Sequence, residues 1–209
     1  MSCCDPNGLN GLFKGPIVKG ELRDFKKRGL GKRQKVFLEV LQDHTKNRTV
    51  LDIGCGIGGL GLSLLERGAA HSTFVDVSRE YLRAAKDLAE EREVEGDTTF
   101  VEADFMQTDL SPADIVVLDR VVCCYPDAPA LLRKAASQSE TSLVFSYPRP
   151  VWWMRFTEGL LNLGMRAWRK EYRFYVHDEE KLLEASGSNG HTLQEVRSVG
   201  VWKLAVFRR

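Results

Sequence analysis

The sequence lacks the features of a membrane-spanning, secreted or disordered chain. Its longest apolar stretch, residues 151–168, is interrupted by Arg155, Glu158 and Arg166, so no membrane span is predicted. Residues 1–7 show no basic segment leading into an apolar run, so no signal peptide is predicted either. There is no low-complexity tract, and 43% of the 209 residues are hydrophobic. These properties predict one folded, cytoplasmic domain.

An excess of charge of one sign is also missing. The net charge is +1, so the total does not call for a nucleic-acid partner. Lys and Arg outnumber Asp and Glu by eleven to five in residues 1–48 and by eleven to seven in residues 149–209. Residues 49–148 reverse this, with eight basic residues against seventeen acidic ones. The acidic middle has two interpretations: a solvated surface, or a site for a cationic ligand.

The cysteines do not have the spacing of common zinc sites. Four of the five form the adjacent pairs Cys3–Cys4 and Cys123–Cys124, without a two-residue spacer, so no metal ligand is assigned. They are expected to be reduced. One interpretation is that Cys123 and Cys124 are small buried side chains. The alternative is that the two pairs meet and bind a metal ion, or a soft metalloid or thiol acceptor.

Hydrophobic periodicity predicts alternating strands and helices after an irregular start at residues 1–20. The predicted strands are 49–53, 71–77, 98–102, 114–118, 141–146, 193–198 and 201–208. The predicted helices are 21–28, 32–43, 59–67, 79–93, 126–136, 152–168 and 177–186. This order is typical of a doubly wound α/β sheet, with a terminal antiparallel pair joined through Gly200.

A glycine cluster follows the first predicted strand. Gly54, Gly56 and Gly59 satisfy the dinucleotide-binding pattern, which alone is a weak signal for backbone that approaches a ligand. Asp52 precedes the cluster by two residues. A carboxylate there would repel a diphosphate, which argues against a nicotinamide oxidoreductase. It suits a ligand that carries a sulfonium and an ammonium group.

Two more acids follow the next two strands. Asp76 ends the second strand, where an acid can accept hydrogen bonds from both hydroxyls of a ribose. Asp104 follows the third strand, where an acid can accept a bond from an adenine amino group, with Phe105 against the ring. Each acid could instead cap a helix or lie in a loop. Three acids after three successive strands favour a nucleoside site.

These motifs resemble those of the class I S-adenosylmethionine-dependent methyltransferases. The resemblance covers residues 49–146 in motif order and the terminal strand pair. It implies a Rossmann-like, mostly parallel sheet of seven strands, with S-adenosyl-L-methionine as cofactor. The residues expected to contact the cofactor are Asp52, Gly54, Cys55, Gly56, Gly58, Asp76, Val77, Asp104, Phe105 and Asp119.

Within that superfamily the chain is most similar to magnesium-protoporphyrin O-methyltransferases and their bacterial relatives. The similarity rests on residues 118–126, in which a strand runs into Tyr125-Pro126, and on the insert before His177. Those enzymes carry His at the position of Cys124. A single domain is predicted, with an N-terminal helical cap (1–48), a cofactor-binding core (49–148), a lid insert (149–176) and a C-terminal helix and hairpin (177–209).

The residues that would serve the acceptor cluster after the fourth and fifth strands. Methyl transfer is an in-line displacement, so a base is needed only for an acceptor that carries a proton. Tyr125 or His177 could be that base, and Arg120 or Arg149 could hold an anionic acceptor. Alternatively, Arg120 pairs with Asp119 or Asp127, and His177 only starts a helix. The candidate catalytic residues are Arg120, Cys123, Cys124, Tyr125 and His177.

The insert is unusually apolar, with three tryptophans among residues 152–168. It could form a lid over a small apolar acceptor, pack onto the sheet, or touch a membrane surface peripherally. Two alternatives to a small-molecule enzyme remain. One is a methyltransferase-like module without activity. The other is an RNA or protein methyltransferase that uses the basic residues 26–35, although no RNA-binding domain is appended.

Overall fold

A computed structural model describes residues 15–168 and 172–209, and the predicted doubly wound sheet is confirmed in it. The strands are β1 (Thr49–Ile53), β2 (His71–Asp76), β3 (Thr98–Glu102), β4 (Ala113–Leu118), β5 (Ser139–Pro148), β6 (Thr192–Val199) and β7 (Trp202–Arg208). They form one sheet in the order β3-β2-β1-β4-β5-β7-β6. Strands β1 to β5 pair in parallel, whereas β7 is antiparallel to both β5 and β6. The terminal antiparallel hairpin is thus also confirmed.

Seven α-helices accompany these strands in the described residues. They are α1 (Pro16–Arg28), α2 (Lys32–Leu41), α3 (Gly59–Leu65), α4 (Arg79–Glu91), α5 (Ala128–Ser137), α6 (Trp152–Ala167) and α7 (Glu179–Ser186). Short 3-10 helices lie at Glu95–Asp97, Phe105–Gln107, Val122–Cys124 and Ser188–Gly190. Asp104 and Ser78 cap the helices that follow them, since each side chain accepts a bond from a backbone N–H two or three residues further on.

The start of α1 differs from the prediction. Residues 16–20 were expected to be irregular because glycine and proline are frequent there, but they form the first turns of α1. Pro16 stands at the first helical position, where its fixed φ suits a helix and its missing N–H costs no bond. Val18 is buried, so packing also favours the helix. Cys3 and Cys4 lie outside the described residues.

Both faces of the sheet are covered. Along β4, Ile115 and Val117 pack in a core with side chains of α2, α3 and α4, whereas Val116 and Leu118 pack in a core with side chains of α5 and α7. Successive side chains of a strand point to opposite faces, so a strand buried on both faces is continuously apolar. Residues 115–118 of β4 are continuously apolar in the sequence, as this arrangement requires.

The strand order places a crevice at the carboxyl ends of β1, β2 and β4. Ile53 at the end of β1 pairs with Val75 of β2 on one side and Leu118 of β4 on the other. The chain leaves β1 toward one edge of the sheet and returns through β4 toward the other, so the sheet has its switch point here. Ligands of open α/β sheets bind at this place.

Helix α6 belongs to the insert and contributes little to either core. Met154 is its only buried residue. No helix within residues 15–168 and 172–209 combines the length and the hydropathy needed to cross a bilayer.

Candidate active site

The glycine loop after β1 has a backbone that only glycine adopts without strain. Gly54 has a φ of 63°, and a Cβ built on it would lie 2.4 Å from Cγ2 of Val121. Gly58 has a φ of 75°, and a Cβ there would lie 2.9 Å from Cβ of Ala85. The N–H of Gly54 donates to the carbonyl of Val75, 2.7 Å away, which ties the loop to β2. The loop can therefore present bare backbone to a ligand.

A cavity of about 300 Å³ opens at the carboxyl ends of these strands. Its lining includes most of the predicted site residues: Gly54, Gly56, Asp76, Val77, Phe105, Asp119, Arg120, Cys123, Cys124 and Tyr125. The other predicted site residues do not line it: Asp52, Cys55, Gly58, Asp104 and His177. The structure thus brings six of the ten cofactor candidates and four of the five catalytic candidates to one space.

Asp52 lies beneath the glycine loop and is almost completely buried. Its carboxyl group accepts a bond from the N–H of Gly61, 3.1 Å away, near the start of α3. Burial raises the pKa of Asp52 to about 8, and the negative charges of Asp119 and Asp76 act in the same direction. Burial therefore favours the protonated form of Asp52, whereas a positive charge nearby would favour the ionised form.

Asp76 reaches the cavity from the end of β2. One carboxylate oxygen accepts from the N–H of Gly56 at 2.9 Å and the other from the N–H of Ser78 at 2.8 Å. Burial raises the pKa of Asp76 to about 6 despite these bonds. Each oxygen keeps a free lone pair, so the carboxylate can still accept two hydroxyl donors, as a ribose would supply.

Asp104 and Tyr125, predicted for different roles, are bonded to each other. The Tyr125 hydroxyl donates to Oδ1 of Asp104 across 2.6 Å. The same carboxylate also accepts from the N–H of Met106 at 3.0 Å and from the side-chain amide of Gln107 at 3.2 Å. Asp104 is buried behind Phe105 and Tyr125, and these two rings line the cavity in front of it.

Asp119 and Arg120 follow β4 in a strained turn. Arg120 has a φ of 64°, which is uncommon for a residue with a side chain. Ser146 of β5 holds this turn, since its hydroxyl accepts from the N–H of Arg120 and donates to Asp119, at 2.9 and 2.8 Å. Both Asp119 oxygens also receive bonds from the guanidinium of Arg33, in α2, and Arg33 lies over the Trp202 ring.

Helix α1 supplies a carboxylate that the sequence analysis missed. Glu21 lines the cavity and accepts from the guanidinium of Arg120 at 3.3 Å. Burial and the negative charge of Glu21 both raise the pKa of Tyr81. Arg33, Ser146 and Trp202 were missed as well. No local motif marks these residues, because they reach the site from elements distant in sequence.

The two adjacent cysteines line the cavity together with two aromatic residues of the insert. The Cys123 and Cys124 sulfurs are 3.9 Å apart, and the Cys124 sulfur lies 3.6 Å from the Tyr172 hydroxyl. Hydrogen bonds from Cys123 and Tyr172 lower the pKa of Cys124, whereas the contact with Cys124 and burial raise the pKa of Cys123. Phe174 extends this apolar side. Across residues 15–168 and 172–209, no group of three or more His, Cys, Asp or Glu side chains could hold a metal ion.

The remaining predicted residues lie behind the cavity. The His177 ring stacks on Tyr175, with the centroids 5.7 Å apart, and burial lowers its pKa. The thiol of Cys55 lies in the glycine loop, and burial raises its pKa. Neither side chain lines the cavity.

This arrangement fits S-adenosylmethionine. Gly54 and Gly56 offer an open backbone, Asp76 offers two acceptor oxygens, and Val77 and Phe105 offer apolar walls to a nucleoside. The carboxylates of Asp76 and Asp119 give the adjacent region the negative charge that a sulfonium and an ammonium group need, and such a cation would in turn favour the ionised form of Asp52.

The comparisons with known proteins agree with this geometry. Residues 50–139 match a family model described as "Methyltransferase domain". The chain is 41% identical over 51 residues to ribosomal protein L11 methyltransferase from Chromobacterium violaceum, which covers 24% of the chain and 17% of that protein. It is 33% identical over 107 residues to the protein of the same name from Edwardsiella ictaluri, which covers 45% and 36%. The matches thus span well under two thirds of these curated relatives.

Solved structures show the same fold over nearly the whole chain. A magnesium protoporphyrin IX methyltransferase from Synechocystis PCC 6803, with bound S-adenosylhomocysteine, has a TM-score of 0.72 at 23% identity and covers 98% of this chain and 99% of that one. An O-methyltransferase family protein from Burkholderia thailandensis has a TM-score of 0.70 at 16% identity, covering 92% and 59%. Residues 50–139 thus resemble a methyltransferase domain, and the chain has the Rossmann-like fold of these solved methyltransferases.

Proposed function

We propose that this chain transfers the methyl group of S-adenosylmethionine to a small apolar or soft acceptor, such as a thiol or a trivalent metalloid. One observation carries the proposal: a single cavity joins the glycine loop and Asp76 to the thiol of Cys124 and the rings of Tyr172 and Phe174. The first part suits the cofactor, and the second suits an acceptor without charge.

The residues around the cavity have separate tasks in this proposal. When bound, S-adenosylmethionine supplies a methyl group activated on a sulfonium. Asp76 holds the cofactor from the cavity wall, Asp52 acts on it through its charge from beneath the glycine loop, and Arg33 with Ser146 fixes the turn of Asp119. Helix α1, through Glu21, covers the cavity and excludes water. The chain then mainly aligns the acceptor with the methyl group.

Cys124 is the residue placed to act on the acceptor. Its lowered pKa favours a thiolate, which can take the proton of a thiol acceptor as the new bond to the methyl carbon forms. The same thiolate can ligate a soft metalloid during transfer. Tyr172 stays hydrogen-bonded to the sulfur and keeps it directed into the cavity. His177, which lies behind the cavity wall, has no direct task in this proposal.

Cofactor binding is tested by calorimetry with S-adenosylmethionine and with NAD. Tight binding of the former alone is expected. The Gly54→Ala variant should weaken it on the order of 100-fold, because a side chain at this φ meets Val121. Gly96→Ala is the matched control, since a Cβ there meets nothing within 4 Å. Binding of NAD instead would refute the proposal.

The acceptor is tested with cofactor that carries a labelled methyl group. The panel contains a small thiol, a trivalent arsenical, magnesium protoporphyrin IX and ribosomal protein L11, the last two taken from the names of the similar proteins. Label is expected in the thiol or the arsenical and should be lost in Cys124→Ser but kept in Cys55→Ser, whose thiol does not line the cavity. Label in the porphyrin or the ribosomal protein alone would contradict the proposed acceptor class.

A further inference from the structure

The outward surface of α6 is formed by large apolar side chains. Trp152 is 80% exposed, Phe156 70%, Leu160 62% and Leu163 64%. Side chains of this kind are mostly buried in folded proteins, and single exceptions need no explanation. Four on one helix form a continuous patch.

The four residues share one face of the helix. Their spacing of four, four and three residues places them in a single stripe along α6. Away from the stripe, Met154 is buried, and Asn162 anchors the helix by exchanging two hydrogen bonds with the backbone of Phe174, at 2.7 and 2.8 Å. The apolar stripe of a helix normally faces the protein core. Here the stripe faces away from the protein. We call this side of the helix, formed by Trp152, Phe156, Leu160 and Leu163, the outward face of α6.

Positive charge borders this face. Arg155 and Arg166 are exposed and lie beside the stripe, and Glu158 is the only acidic residue of the helix. In sequence, residues 149–173 contain six Lys and Arg against two Glu. An apolar stripe with basic residues at its border is the pattern of a helix that lies in the plane of an anionic membrane surface.

We infer that the outward face of α6 binds peripherally to an anionic lipid bilayer. The apolar side chains enter the boundary between headgroups and acyl chains, while Arg155 and Arg166 contact lipid phosphates. A second copy of the chain fits less well, because a symmetric contact would place the same arginines opposite one another. Asn162 connects the helix to Phe174, so docking would hold a wall of the cavity close to the membrane.

The test measures sedimentation of the protein with vesicles of phosphatidylcholine alone and with about one third phosphatidylglycerol. We expect binding to the anionic vesicles only, weakened by added salt. The double variant Phe156→Ser/Leu160→Ser should bind at least about tenfold more weakly, since it removes half of the stripe. The matched control is Leu193→Ser, which changes an apolar residue of β6 that is 43% exposed.

Two further measurements make the result decisive. Circular dichroism should show that the double variant unfolds at the same temperature as the unchanged protein, because the replaced side chains are exposed. Light scattering reports the oligomeric state without lipid. Absence of vesicle binding, or equal binding by the double variant, would overturn the inference. A dimer that the double variant dissociates would assign the outward face to a second copy and would overturn it as well.

Discussion

Helices α5 and α6 carry similar patterns of apolar residues, yet they use them in opposite ways. The buried residues of α5 are Ala128, Leu131, Leu132, Ala135 and Ala136, and they form an apolar face that packs against the sheet. The apolar stripe of α6 points to solvent, and only Met154 of that helix is buried. The same periodicity therefore predicts an amphipathic helix in both cases without predicting what its apolar face contacts.

The difference follows from where each helix is attached. Helix α5 connects the neighbouring parallel strands β4 and β5, and such a crossover must pack its helix on the sheet. Helix α6 follows β5 in an insert, outside any crossover between parallel strands. It is therefore free to present its apolar face elsewhere.

The largest expected difference is between two Leu→Ala substitutions. Leu131→Ala in α5 removes a fully buried side chain and should lower the free energy of unfolding by about 2–5 kcal/mol. Leu160→Ala in α6 removes an exposed one and should change it by less than about 0.5 kcal/mol. Urea denaturation measures both. A similar loss in the free energy of unfolding at Leu131 and Leu160 would show that α6 is packed against the protein in solution.

The second contrast concerns buried and exposed charge. Because the cofactor favours the ionised form of Asp52, whose pKa is about 8, affinity for S-adenosylmethionine should rise with pH up to pH 8 and then level off. The rise is at most about tenfold per pH unit for one proton. In Asp52→Asn the contribution of Asp52 to this rise should disappear and binding should be weaker. Calorimetry at several pH values measures this, and Glu158→Gln in α6 should leave the profile unchanged.

The same group affects stability with a defined sign. Between the ordinary pKa of an aspartate and pH 8, the folded protein keeps a proton on Asp52 that the unfolded chain has released. The contribution of Asp52 to the free energy of unfolding therefore falls as the pH rises through this window. Without cofactor, Asp52→Asn should be more stable than the unchanged protein at pH 8, by an amount that shrinks toward pH 4. If Asp52→Asn were more stable than the unchanged protein by the same amount at every pH, the assigned pKa of Asp52 would be wrong.

The smallest expected effect is a gain in stability from Gly159→Ala in α6. Gly159 has ordinary helical geometry, and a Cβ there meets nothing within 4 Å. Alanine should stabilise the helix by about 0.5–1 kcal/mol, measured by thermal unfolding. Gly54→Ala should instead lower stability, because of its positive φ and the contact with Val121. A loss of stability in Gly159→Ala would place α6 against a neighbouring part of the chain.

The meeting of the glycine loop and Asp76 at one cavity was predictable because these residues are close in sequence to the ends of strands. Gly54, Gly56 and Asp76 stand at fixed positions after β1 and β2, and parallel strands bring those positions together in any sheet of this order. The predicted strands were also confirmed, because hydrophobic periodicity is likewise a property of neighbouring residues. The first turns of α1 were missed, since glycine and proline at residues 15–20 resemble a loop while the burial of Val18 is invisible in sequence.

The sequence by itself determined the order of strands and helices, the glycine loop and the acids near the carboxyl ends of β1, β2 and β3, because each depends on neighbours along the chain. Only the tertiary structure decided that Arg33 binds Asp119, that Glu21 meets Arg120, and that the apolar face of α6 points outward. Those contacts join residues that are 86 and 99 positions apart. Side chains that far apart meet only through the packing of whole elements, and no local pattern encodes it.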